Sequence, residues 1–142
     1  GMTKELKAVE NLTGEVMKPV TLFSGGGGLV STIGDYARFG QMLLNGGELD
    51  GVRVLKESTV NLIMTDQMPP SLSFEKDMTY GLGGRVSLKT GEYSWSGMAA
   101  TYFVLDPAND MMILAFTQYV PNSKYTFAYD YMDMVRAALL EP

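Results

Sequence analysis

Four consecutive residues, Trp95-Ser96-Gly97-Met98, carry the pattern from which a function can be read. A large aromatic, a hydroxyl, a glycine and a flexible thioether follow one another inside a stretch that otherwise reads as β-strand. Glycine within a strand marks a place where another backbone or a ligand comes close, and any reading of function rests on this segment. Ser96 as a nucleophile would require a base beside it, and none is identifiable in the sequence. The chain has no His and no Cys. That removes Ser-His-Asp catalysis, thiolate nucleophiles, disulfides and His- or Cys-ligated metal. Hydrolytic chemistry here would need Lys, Tyr or a carboxylate as its base. No catalytic residue is assigned, and no cofactor or metal is expected.

Two other patterns invite chemistry and support less. Ser24-Gly25-Gly26-Gly27-Gly28 leads towards a helix, as a phosphate-binding loop would. It has neither the G-x-x-x-x-G-K-[ST] nor the G-x-G-x-x-G spacing, so no nucleotide site is assigned. Asp106, Asp110, Asp130 and Asp133 are close in sequence, but proximity along the chain does not make an acid–base pair. They are expected to be solvated.

The elements that must position the 95–98 segment follow from periodicity. Residues 91–118 read as two adjacent strands joined by a tight turn at Asp106-Pro107-Ala108-Asn109-Asp110, a composition that favours turns. The second strand, Met111 to Phe116, is apolar at every position, which predicts a central strand covered on both faces. A third strand is predicted over residues 79–88, with Gly81, Gly83 and Gly84 marking a bulge or a close backbone approach. Ahead of the strands, Ile33, Tyr36, Ala37, Leu43 and Leu44 recur at helical spacing after Thr32, a plausible N-cap, with Gly46-Gly47 as the stop. Residues 48–55 read as a small turn or hairpin, and 57–66 as a second helix burying Val60, Leu62 and Ile63. Pro69-Pro70 ends it. A last helix, capped at Asn122 or Ser123, presents Phe127, Tyr131, Met134, Val135, Ala138 and Leu139 on one face. The expected fold class is therefore α+β: two helices, a three-stranded antiparallel sheet and a C-terminal helix. Residues 1–22 are expected to form an N-terminal arm, and residues 23–142 the folded domain.

Composition narrows the partners. The 142 residues include 46% hydrophobic and 19% charged, a globular balance, with a net charge of −5. An acidic chain lacks the basic patch that nucleic acid or an anionic membrane surface would require. No apolar run approaches the ~20 residues of a membrane span, and no basic-plus-apolar leader opens the chain.

Taken in order, several segments resemble the serine β-lactamase-like superfamily. They are Ser24-Gly25-Gly26-Gly27-Gly28-Leu29-Val30-Ser31-Thr32, Asp35-Tyr36-Ala37-Arg38-Phe39, Met42-Leu43-Leu44-Asn45-Gly46-Gly47-Glu48-Leu49, Gly51-Val52-Arg53-Val54-Leu55, Tyr80-Gly81-Leu82-Gly83, Trp95-Ser96-Gly97, Thr101-Tyr102-Phe103-Val104-Leu105-Asp106-Pro107 and Thr117-Gln118. The branch most similar is the class C-like group of esterases, penicillin-binding proteins and D-aminopeptidases. The resemblance implies the C-terminal part of the β-lactamase/transpeptidase-like fold. It also implies acyl transfer from an ester, amide or β-lactam through the Ser of an S-x-x-K motif, with the Lys and the Tyr of a Y-x-N motif handling the proton. Trp95-Ser96-Gly97 matches the third motif, which lines the substrate groove, and the Met98 N–H would be one oxyanion donor.

The departures from that pattern are specific. In the superfamily the nucleophile and Tyr motifs precede the region represented here, and no Y-x-N or S-x-N occurs in this chain. The one S-x-x-K, Ser73-Phe74-Glu75-Lys76, sits in a loop after Pro69-Pro70. Lys89-Thr90-Gly91 spells K-T-G but reads as a hairpin turn. The chain is thus expected to be a C-terminal portion that is inactive alone. With sheet edges left open, it is also expected to form a homodimer or larger assembly. A stand-alone binding or structural module is the alternative.

Overall fold

The computed structural model describes residues 18–19, 21–72, 74–120 and 126–140. The chain divides into two units, residues 1–32 and 33–142. In the first, the glycine run forms a turn closed by the Gly28 N–H donating to the Ser24 carbonyl at 2.9 Å. Most of the expected arm lies outside the described residues, as do Ser73, Asn122 and Ser123.

The second unit begins with helix α1, Ile33–Leu44, which buries Gly40, Met42 and Leu43. Gly46, at φ +64°, turns the chain out of the helix, and the Gly47 N–H returns to the Met42 carbonyl at 2.8 Å. This is the left-handed closure that glycine allows after a helix. Strands β1, Glu48–Leu49, and β2, Val52–Arg53, then form a hairpin across Asp50 and Gly51, both at positive φ. Asp-Gly is the sequence that a two-residue hairpin turn favours. Helix α2, Glu57–Met64, follows and buries Val60.

The main sheet is an antiparallel meander of five strands in chain order. They are β3, Met78–Tyr80; β4, Arg85–Ser87; β5, Tyr93–Gly97; β6, Thr101–Asp106; and β7, Met111–Ala115. One face packs Val86, Tyr93, Phe103 and Leu105 against Met42, Leu43 and Val60 of α1 and α2. The other packs Tyr102, Val104, Ile113 and Ala115 against Ala128 and Met132 of the C-terminal helix α3, Phe127–Leu140. The Arg136 guanidinium of α3 also grips Glu92, just before β5, through two bonds of 3.0 Å. The class is α+β as the sequence indicates, with helices over both sheet faces.

Two expectations require correction. Among the described residues the sheet has five strands, not three, because two of the predicted strands fold back on themselves. Residues 79–88 split into β3 and β4 around the turn at 81–84, closed by Gly81 N–H to Gly84 carbonyl at 2.9 Å. Residues 91–106 split into β5 and β6 around 98–100. The second correction concerns Met111–Ala115, which among the described residues is the last strand of the sheet rather than a central one. Its continuous apolar character reflects cover by helices on both faces. Burial of a strand's faces says nothing about neighbours at its edges.

The turn at 81–84 depends on close packing. Leu82 N–H donates to the Ile63 carbonyl at 2.9 Å, and a Cβ on Gly81 would collide with that same carbonyl. The Tyr93 ring lies against Gly84, its hydroxyl donating to the Leu82 carbonyl at 2.9 Å. Burial, reinforced by the phenols of Tyr36 and Tyr80, holds the Tyr93 phenol above the usual tyrosine range. An unfolded tyrosine ionises near pH 10. Stability drawn from the neutral, buried phenol is therefore complete below that pH and is lost as pH rises towards the folded value. Tyr93→Phe should cost about 1 kcal/mol at neutral pH, the net worth of one hydrogen bond. Its alkaline unfolding limb, followed by urea titration at successive pH values, should be flatter than that of the parent.

Candidate functional site

The ladder between β4 and β5 is short. Val86 faces Tyr93, Arg85 faces Ser94, and there it stops. Strand β5 runs on through residues 95–97, held on its other side by β6 at Trp95↔Phe103, Ser96↔Tyr102 and Gly97↔Thr101. The segment singled out in the sequence thus extends past the end of β4. Pleating puts Trp95 on the face shared with Tyr93 and Phe103, and Ser96 on the opposite face with Tyr102.

Trp95 is 44% exposed. Its ring meets Tyr80 edge-on at 5.8 Å, and Tyr80 in turn meets Phe74 at 4.8 Å and 89°. Among these rings lies the Arg85 guanidinium, whose Cζ stands 5.7 Å over Trp95 and 5.5 Å over Phe74. Both contacts have cation–π geometry. Aromatic faces and one cation therefore wall this end of β5.

Met98 lies in the three-residue turn after β5 and is 78% exposed. That turn is well anchored. Ala100 is buried and takes the left-handed conformation at φ +57°, where three-residue hairpins usually carry glycine. Its N–H donates to the Gly97 carbonyl at 3.1 Å. From beyond β7, the Thr117 hydroxyl lies 2.9 Å from the Ala99 carbonyl and 2.8 Å from that of Ala100, its one proton shared between them. The Tyr119 N–H donates to the Ala99 carbonyl at 3.0 Å. At Gly97 a Cβ would strike the Thr101 hydroxyl, so only glycine fits opposite Thr101 without a shift of that side chain.

The other candidates are placed elsewhere. Lys89, Thr90 and Gly91 form the β4–β5 turn, tied to Ser87 through Gly91 N–H to carbonyl at 2.9 Å and Thr90 N–H to hydroxyl at 3.1 Å. They are at the opposite end of β5 from Gly97. Ser73 lies outside the described residues. Asp106, expected to be solvated, is buried: its carboxylate accepts from the Ala108 and Asn109 N–H groups and from the Asn109 side chain at 2.6 Å. It is a turn-closing residue of the β6–β7 hairpin. Asp110, Asp130 and Asp133 are exposed. Among the described residues no hydrogen bond joins Ser96 to a lysine, tyrosine or carboxylate, and no group of three carboxylates could hold a metal. No helix among them is long and apolar enough to cross a membrane.

Several contributors were missed in the sequence. Thr117 and Tyr119 anchor the turn at long range, which no local pattern reveals. Arg85 left a signal, as the one charge between residues 79 and 88. Phe74 and Tyr80 left none as a pair, because their contact depends on the hairpin.

Comparison with known proteins bears on the family and the fold. A family model described as Beta-lactamase matches residues 1–135. An uncharacterized protein of Mycobacterium tuberculosis (strain CDC 1551 / Oshkosh) is 33% identical over 124 residues, covering 73% of this chain and 31% of its own length. A protein of Escherichia coli strain K12, provisionally named a D-alanyl-D-alanine carboxypeptidase, is 33% identical over 103 residues, covering 64% of this chain and 22% of its own. Among solved structures, a chain from Bacillus anthracis provisionally named a 6-aminohexanoate-dimer hydrolase is similar with a TM-score of 0.59 and 26% identity. That match covers 79% of this chain and 30% of the other. The chain spans less than a third of the length of these curated relatives.

Proposed function

The chain belongs to the beta-lactamase family, and on that premise we propose that it forms one wall of the acyl-transfer site of a serine hydrolase. The substrate is a small ester, amide or β-lactam, opened through an acyl-serine. Trp95, Ser96 and Gly97 line the groove in which the acyl chain lies extended. The Met98 N–H supplies one of the two donors for the oxygen that gains charge when the carbonyl is attacked. A donor of this kind is worth about 10²–10³ in rate. The nucleophilic serine and the lysine and tyrosine that move its proton lie outside these 142 residues.

One observation supports this assignment more than the others: residues 95–97 extend past the last β4–β5 pair while β6 holds them rigidly. A strand edge of that kind can pair with an extended ligand. The anchored turn then holds the Met98 amide in a fixed place, which pre-organised electrostatic stabilisation requires.

A second reading is that the chain is a stand-alone binding or structural module that self-associates. The position of β7 at the end of the sheet and the half-exposed Phe39 favour it, because open edges and apolar patches drive association. No role with nucleic acid or membrane is assigned. On either reading we expect a homodimer or larger species by light scattering, and a monomer in dilute solution would count against association.

Catalysis separates the proposal from its opposite. The purified chain is incubated with a chromogenic cephalosporin, a p-nitrophenyl ester and a fluorophosphonate. The expected result is neither turnover nor stoichiometric labelling. Either one would mean that a complete nucleophile and base reside within these residues.

A further inference from the structure

Helix α3 carries more apolar surface than the sheet covers. Val135 packs onto the core beside Ala128 and Met132. Phe127, Tyr131, Met134 and Ala138, which the sequence places on the same face, are exposed instead, Phe127 by 45% and Met134 by 72%. Their spacing of four, three and four residues sets them in one line along three turns, about 100° round the helix from the sheet-facing line. The apolar arc of α3 is thus about twice what a helix lying on one surface needs, and its outer half faces solvent. The same spacing is the seam of a helix that pairs with another helix. Charge decides among partners. The stripe carries none of its own, and the acids beside it are engaged on α3 itself. Asp130 accepts from the Thr126 hydroxyl at 2.8 Å, and Asp133 stands 3.6 Å from Arg136. Arg136 is the one base of the helix and is committed to Glu92, whereas an anionic membrane surface would need a basic polar face.

We propose that this stripe is a dimer face, and that its occupant is α3 of a second copy of the chain, running antiparallel. The stripe complements itself in that direction. A two-fold axis between Tyr131 and Met134 sets Phe127 against Ala138 of the second copy, and Tyr131 against its Met134. Each ring thus meets a small or a flexible side chain. The same axis sets Asp130 towards Ala137 of the second copy, so no acid meets its equivalent, which matters between two chains that each carry −5. A parallel pair would stack Phe127 on Phe127 and align the two helix dipoles. The proposal rests on the self-association expected of this chain and names the face that carries it. It is independent of the acyl-site reading, because α3 covers the sheet face opposite the one that Trp95 shares with Tyr93 and Phe103.

Sedimentation equilibrium of the chain between about 2 and 200 µM tests this by mass action. The stripe is smaller than the roughly 800 Å² per partner of a standard interface, so the expected dimer is reversible and dissociates at about 10 µM. Met134→Glu sets a charge in the middle of the face and should weaken the dimer at least tenfold. Because the chain has no cysteine, Phe127→Cys and Ala138→Cys can be mixed and oxidised. The expected product is the disulfide between unlike variants, well in excess of the like pairs. The chain is also spun with phosphatidylcholine vesicles and should stay in the supernatant. A monomer at every concentration would overturn the proposal together with the expected association. A dimer undiminished in Met134→Glu, shown folded by circular dichroism, would keep association but overturn this face. Disulfides between like variants would overturn the antiparallel pairing, and sedimentation with the vesicles would give the stripe to a lipid surface instead.

Discussion

The Tyr93 hydroxyl reaches over Gly84 to the Leu82 carbonyl, and this contact sets where β4 begins. With Gly81 pressed against the Ile63 carbonyl on the other side, the chain has little room to do anything but turn at 81–84. Strand β4 therefore starts at Arg85, and its ladder with β5 stops opposite Ser94. The exposed stretch of β5 follows from that early stop. Residues 95–97 are carried beyond it by their pairing with β6, and Arg85 stands at the corner where it can lie over Trp95. A longer β4 would cover the edge and leave nowhere for a ligand strand to lie.

A ligand-binding edge must also be stiff, since geometry that drifts by an ångström loses most of its value in orienting a reaction. Stiffness comes here from three directions. Phe103 and Leu105 of β6 are sealed under α1 and α2 on one face, while Tyr102 and Val104 are sealed under α3 on the other. Arg136 bonds both Glu92 oxygens and so fastens α3 to the approach of β5. Thr117 and Tyr119 hold the 98–100 turn by its carbonyls. Those carbonyls are occupied from behind, and Met98 stands at the exposed tip. In the proposed division of labour this arrangement is one wall of the site, and the attacking hydroxyl and its base come from chain beyond these residues.

How much of this was legible in the sequence depended on the range of the interaction. Helices α1 and α2, the Asp50-Gly51 hairpin and the Asp106 turn were legible because their signals lie within a few residues. The glycines at 81–84 announced a close backbone approach, and the Ile63 carbonyl is that backbone. What the pattern could not show was direction. A run of strand-forming residues reads the same whether it continues or folds back, so two hairpins read as two strands. The apolar run of β7 carried a similar ambiguity, because helices above and below a strand produce the same composition as strands on either side. The Trp95-Ser96-Gly97-Met98 segment was legible as a candidate. Its contact with Arg85 and through it Phe74, and the hold of Thr117 on its turn, were not, since these residues come together only once the hairpins have formed.

The proposed site stands or falls with the strand geometry at the end of β5. The most direct test is a cross-strand NOE map from an NMR study of the chain. The account predicts inter-strand contacts between Arg85 and Ser94 and between Val86 and Tyr93. It further predicts β5–β6 contacts out to Gly97 and Thr101, and no ladder of contacts from β4 to Ser96 or Gly97. A β4 strand found paired along residues 95–97 would close the edge and contradict the account.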